Sequence, residues 1–190
     1  MSVSYIENRE FRGVNFRLEK LREGEYEQCI FIDCNFSSTD LTGTGFAECE
    51  FQDCDLSNAH GKSIIMRDVK FKNCKLLGYR FDLCNSFLLS FSFEDCHLDF
   101  TSFYKLKIKG TKFINCNLHQ ADFTDADLSH SVFFKCDLDG AVFQNTNLLG
   151  ANFETARNFT IDPELNQLKG AKFTSENLAG LLTRHQLKIK

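Results

Sequence analysis

From Phe11 to Phe81 every fifth residue is large and apolar, fourteen times out of fifteen, with Gly61 the single gap. The same spacing resumes two residues out of phase at Phe93. It runs through Phe103, Phe113, Phe123, Phe133 and Phe143 to Phe153, with Leu98, Ile108, Leu118, Leu128, Leu138 and Leu148 between them. Two residues before each large position the chain is small, as at Cys34, Thr39, Thr44, Cys49, Cys54 and Ala59, and again at Cys116, Ala121, Ala126, Ser131, Cys136 and Ala141. Neither the helical period of 3.6 nor the strand period of 2 produces a strict five. A corner every five residues does. Two side chains per side then point inward, four sides close one coil, and each coil bonds to the next as parallel strands do.

A twenty-residue period is visible independently of the fives. The hexapeptides FIDCNF, FQDCDL, FKNCKL, FEDCHL, FINCNL and FFKCDL begin at Phe31, Phe51, Phe71, Phe93, Phe113 and Phe133. One coil therefore holds 22 residues and the others 20. Stacking Phe11 through Phe173 at about 4.8 Å per step gives a rod about 38 Å long, with about eight coils. The pattern predicts an all-β parallel solenoid over residues 1–174, with a two-residue insertion within 82–92 and an irregular segment at 156–166. Pro163, the only proline, falls in that irregular segment, as a residue with no ladder N–H should. In the insertion, DLCNSFLLSFSF, Leu88 is expected to fill the inward place between Phe81 and Phe93, leaving Phe87 or Leu89 exposed on a bulge. After Phe173, Ser175 and Glu176 carry helix-start signals, and Leu178, Leu181, Leu182 and His185 have i, i+3, i+4, i+7 spacing. A short C-terminal α-helix with a tail, together spanning 175–190, is expected to cap the last coil.

The remaining composition narrows the chemistry. With 190 residues, 43% of them apolar and 25% charged, the chain is a soluble single-domain protein with no membrane span. Residues 1–10 are polar and show no secretory signal. Nine cysteines invite a metal or disulfide reading, but there is no C-x-x-C pair, and Cys29 with Cys34 would project from successive sides. Parallel rungs also hold neighbouring β-carbons about 4.8 Å apart, beyond the usual disulfide span. The thiols read as reduced core residues of a cytoplasmic protein, with the side taken by Cys84 left open beside the insertion. His97, His119 and His130 fall on outward positions, no catalytic motif is present, and the interior is filled by Phe and Leu. The sequence predicts no enzyme, no cofactor and no metal. N-F-S at Asn35 and N-F-T at Asn158 match a glycosylation triplet without a secretory context to support it.

Charge is uneven along the chain. Glu23 to Gly61 holds nine acids and no base, Lys62 to Lys112 five acids against ten bases, and Phe113 to Ala156 six acids against one base, within a net charge of −4. The corner after the main Phe column carries Asp33, Asp53, Asp55, Asp95 and Asp137, interrupted by Lys75 and Lys135. Further aspartates follow at Asp122, Asp125, Asp127 and Asp139.

This pattern resembles the pentapeptide-repeat family, whose motif is A-[D/N]-L/F-x-x; ADFTDADLSHSVF from Ala121 to Phe133 reads almost as its consensus, and the likeness covers about residues 11 to 178. The resemblance implies a right-handed quadrilateral β-helix. A short chain with such a C-terminus is similar to the Qnr-like and immunity-type members. Those dimerise through their C-termini, imitate B-form DNA, and bind DNA gyrase or topoisomerase IV, protecting it from quinolones or peptide toxins. The expectation that follows is a DNA-mimicking homodimer, joined through Leu178, Leu181 and Leu182, that binds a type II topoisomerase through the aspartates and binds no nucleic acid itself. The corner column nets three negative charges over five steps, against about fourteen on duplex DNA of that length. An interaction scaffold working through flat faces or the Phe87–Phe91 bulge is the alternative.

Overall fold

Short extended stretches alternate with left-handed corner residues, and that alternation bends the chain into a square coil. Asp33, Asp53, Asn73, Asp95 and Asn115 occupy equivalent corners with φ of 52°, 55°, 50°, 54° and 52°. Asp and Asn tolerate this region because their short side chains bond locally to the backbone. The computed structural model describes residues 4–188, which wind as a right-handed quadrilateral parallel β-helix.

Eleven short strands form on two sides of the square: β1 (Tyr5–Glu7), β2 (Glu10–Arg12), β3 (Gly24–Glu27), β4 (Ile30–Ile32), β5 (Thr44–Ala47), β6 (Glu50–Gln52), β7 (Ile65–Arg67), β8 (Val69–Lys72), β9 (Phe91–Glu94), β10 (Lys112–Ile114) and β11 (Val132–Phe134). One parallel sheet runs β1-β3-β5-β7; the other has seven strands in the order β11-β10-β9-β8-β6-β4-β2. Its register sets Phe11, Phe31, Phe51, Phe71, Phe93, Phe113 and Phe133 directly above one another. Single rungs carry the stack on through Asn152 to Lys172.

The core is a set of ring columns. Phe31 and Phe51 stack at 4.7 Å, Phe113 and Phe133 at 5.0 Å, and Phe153 and Phe173 at 5.3 Å, with planes within 9° of parallel. A second column of Phe81, Phe103, Phe123 and Phe143 repeats at 4.9 to 5.0 Å, and the two columns meet edge to face, as at Phe113 and Phe123. The gap at Gly61 is filled by Ile64. A Cβ on Gly61 would lie 2.9 Å from the Ile64 Cδ1 and 2.8 Å from the Thr42 nitrogen, so that place has no room for a side chain of its own.

All nine thiols are buried, Cys84 included. All but Cys84 and Cys116 donate to carbonyls of the preceding coil, as Cys54 Sγ does to Phe31 O at 3.4 Å and Cys136 Sγ to Phe113 O at 3.3 Å. Burial pushes the Cys49 and Cys84 thiols up to about 12.

Two expectations are corrected. In the insertion Leu88, not Leu89, is the outward residue: Leu88 takes the left-handed corner at φ 55°, and the Ser90 N–H re-enters the ladder on Met66 O at 3.0 Å, which turns Leu89 into the core. At the C-terminus no α-helix forms among the described residues. Leu178–Leu181 and Thr183–His185 are separate 3₁₀ turns. The Gly180 carbonyl, which an α-helix would need, instead accepts the Ile161 N–H at 3.0 Å. Gly180 also packs so closely on Phe159 that a Cβ there would come within 2.5 Å of the ring. The end is still capped, because the Asn177 carboxamide donates to Phe153 O at 2.8 Å and to Ala156 O at 3.3 Å. Residues 189 and 190 of the expected helix and tail lie outside the described residues. Among the described residues no helix is long and apolar enough to cross a membrane.

Candidate partner-binding surface

The coil register converts scattered aspartates into columns. Asp33 and Asp53 sit on consecutive rungs, followed by Asn73, Asp95, Asn115 and Lys135 in the same corner slot. The neighbouring column runs Asn15, Asn35, Asp55, Lys75, His97, Asn117, Asp137 and Arg157. The buried cysteine column lies between the two.

Both columns have a backbone reason for their residue type. Corner slots need a left-handed residue, which Asp and Asn supply. In the adjacent slot the side-chain oxygen accepts the N–H two residues on: Asp55 Oδ1 from Ser57 at 2.9 Å, Asp122 Oδ1 from Thr124 at 2.9 Å, Asp127 Oδ1 from Ser129 at 3.1 Å. Asn35 does the same for Ser37 at 2.9 Å. The turns therefore favour Asp or Asn without requiring them, as Lys135 and Lys75 in the same columns show, and the choice of Asp adds charge on top of that preference.

The aspartates named from the sequence do not converge on one face. Asp33, Asp53, Asp55, Asp95 and Asp137 follow one corner, with Asp139 on the side next to it. Asp125 and Asp127 flank the corner two sides away, diagonally across the rod, and Asp122 begins the side leading to it. Some are also neutralised. Asp137 receives Asn158 Nδ2 at 2.9 Å and Arg157 Nε at 3.1 Å, and Asp127 pairs with Lys109 Nζ at 3.3 Å. Partial burial raises both carboxyls, but Asn158 and Arg157 at Asp137, and the Ser129 hydroxyl and N–H followed by Lys109 at Asp127, outweigh it and hold them below the usual carboxylate range. Among the described residues no basic side chain lies within ion-pair distance of Asp33, Asp53, Asp55 or Asp95.

The insertion projects a different kind of surface. Phe87 is 74% exposed and Leu88 58%, whereas Leu89 is 8% exposed and contributes nothing to it. The pair overhangs a hollow of about 220 Å³ floored by Gly45, Phe46, Ala47 and Ile65, with Glu25, Glu27 and Arg67 on its margin. At the C-terminus Leu178 and Leu182 are exposed, while Leu181 turns inward against the core. His119 lies between Asp99 at 3.3 Å and Asp137 at 3.6 Å on an outward side. Among the described residues no three potential metal ligands come together.

The sequence profile of a pentapeptide repeat region matches residues 5–81 and 106–181, leaving out the coil that holds the insertion. No curated protein matches the chain. Among solved structures, full-length QnrB1, a plasmid-mediated fluoroquinolone resistance protein, superposes with a TM-score of 0.64 at 18% identity, over 97% of this chain and 100% of that one. A trypsin-treated variant of QnrB1 gives 0.63 at 16% identity, over 98% and 100%. HetL from the cyanobacterium Nostoc sp. strain PCC 7120 matches at 0.39 and 18% identity, over 88% of this chain and 86% of that one. At these identities the likeness to solved structures is one of fold; the repeat profile, spanning well over half of the residues, establishes that the chain belongs to the pentapeptide-repeat family.

Proposed function

We propose that the protein is a non-catalytic homodimer that binds a type II topoisomerase, DNA gyrase, by imitating DNA, and that it protects the enzyme against quinolones or a peptide toxin in the cytoplasm. The observation that carries this reading is the uncompensated charge of Asp33, Asp53 and Asp55 on successive rungs, within a stretch from Glu23 to Gly61 that has nine acids and no base. Its fold is shared end to end with a fluoroquinolone resistance protein, which makes a topoisomerase the partner to try first. The exposed Leu178 and Leu182 at the end of the rod would join two copies there.

The turn chemistry supplies a clean test. Asn already occupies both aspartate slots elsewhere in the rod, so Asp53→Asn with Asp55→Asn removes two charges and keeps the corners. Binding to gyrase measured by interferometry should weaken in this variant and fall steeply with salt, as the Debye length drops from about 10 Å at 0.1 M to about 3 Å at 1 M. Salt-indifferent binding, unchanged by both substitutions, would exclude mimicry by this corner.

A second reading, a scaffold that docks another protein on the bulge, is favoured by the exposure of Phe87 at 74%. It predicts that Phe87→Ser abolishes binding while the asparagine variant does not.

A further inference from the structure

We propose that the basic middle of the rod holds an anion site for a small oligophosphate, in a cleft where the ladder is broken. The β1-β3-β5-β7 sheet stops at β7, and on that side the rungs resume only at Lys107, which pairs with Asp127. Between them the two-residue insertion leaves the regular path, and a cleft of about 480 Å³ opens. Leu89, Phe91 and Ile108 form its buried floor, and Ser90 and Ser92 are half-buried in it.

Four ammonium groups line this opening: Lys70, Lys107, Lys109 and Lys112. Register places them together, for Lys70 and Lys112 both pair with Ser92, one rung below and one above, and Lys107 and Lys109 lie around the corner on the same coil as Lys112. Lys109 is shared with Asp127 at 3.3 Å. Among the described residues Lys70, Lys107 and Lys112 have no carboxylate within ion-pair distance. The only acid in the lining, Asp68, accepts the Ser90 hydroxyl at 2.9 Å.

Several like charges held around one cleft attract a ligand with several negative charges close together. Lysines act as point charges with no bidentate geometry, which suits phosphoryl oxygens in any orientation. The aromatic ring of the lining, Phe91, is buried, so the cleft offers no face on which a base could stack, and recognition falls to the phosphates alone. Two rungs at about 4.8 Å give Lys70 and Lys112 a spacing suited to two or three linked phosphoryl groups.

The test is calorimetric titration of the intact protein with inorganic tripolyphosphate at about 0.01 M ionic strength, where the Debye length is about 30 Å. One ion should bind per chain, more tightly than orthophosphate. Lys107→Gln with Lys112→Gln should weaken binding about tenfold. The control is Lys169→Gln with Lys172→Gln, because these lysines fill the slots of Lys109 and Lys112 three coils further on, where the ladder is unbroken; it should leave binding unchanged. Circular dichroism checks that both variants stay folded, as these side chains are exposed. Absence of binding, equal losses in both variants, or tighter binding of a single-stranded oligonucleotide than of tripolyphosphate would each overturn the assignment.

Discussion

At the scale of single residues, each slot of the repeat has its own physical requirement, and the departures carry most of the information. The slot two before a large residue is small throughout most of the rod, yet before Phe81 it holds Tyr79, with its ring 4.6 Å from the Phe81 ring. Tyr79 is fully buried and its hydroxyl has no hydrogen-bond partner among the described residues, and burial pushes the phenol well above its ordinary range. An unsatisfied buried hydroxyl costs about 1 to 3 kcal/mol. Tyr79→Phe should therefore stabilise the protein by about 1 kcal/mol, read as a higher urea midpoint at unchanged slope. A clear loss of stability would mean that the hydroxyl is bonded, with the Cys84 thiol, which interacts with it, as the candidate partner.

At the scale of elements, the solenoid is held by stacked rings and parallel rungs, with no side packed independently of the next. Phe113 has Phe93 below at 5.3 Å and Phe133 above at 5.0 Å, with Phe103 and Phe123 edge on. Phe113→Ala opens a cavity in both directions and should cost about 3 to 5 kcal/mol, measurable by chemical denaturation; a cost below about 1 kcal/mol would mean that the columns do not hold the fold. These columns were legible in the sequence because a period of five has a single geometric solution and recurs at some thirty positions. The insertion was harder to read. Which of Leu88 and Leu89 faces inward depends on where the ladder is rejoined, here at Ser90, and periodicity is silent across an interrupted period. The 3₁₀ end was hidden for a related reason: leucine spacing reports a helical face but not that Ile161 claims the Gly180 carbonyl. The candidate surface was legible as residue types only. Asp columns follow from the register, but their division between diagonal corners and the capture of Asp127 and Asp137 by Lys109 and Arg157 depend on neighbours a full coil away.

At the scale of the whole molecule, the rod carries an acidic band, a basic waist and a second acidic band, with an apolar bulge at the waist and exposed leucines at one end. Two rods joined at the C-terminus would put the net basic segments 157–190, six bases against three acids in each, at the centre, with the second acidic bands flanking them. Leu178→Asp with Leu182→Asp tests that arrangement without disturbing the core-facing Leu181. Light scattering should find a dimer for the unmodified protein and a monomer for this variant, and a monomer for both at tens of micromolar would end the dimer proposal. The central proposal, that the rod occupies a topoisomerase in place of DNA, is tested most directly by gyrase supercoiling in the presence of a quinolone. The protein should restore supercoiled product in a dose-dependent way, and the Asp53→Asn, Asp55→Asn variant should need a higher dose for the same effect. No restoration at any dose up to excess over gyrase, or equal restoration by both proteins, would contradict it.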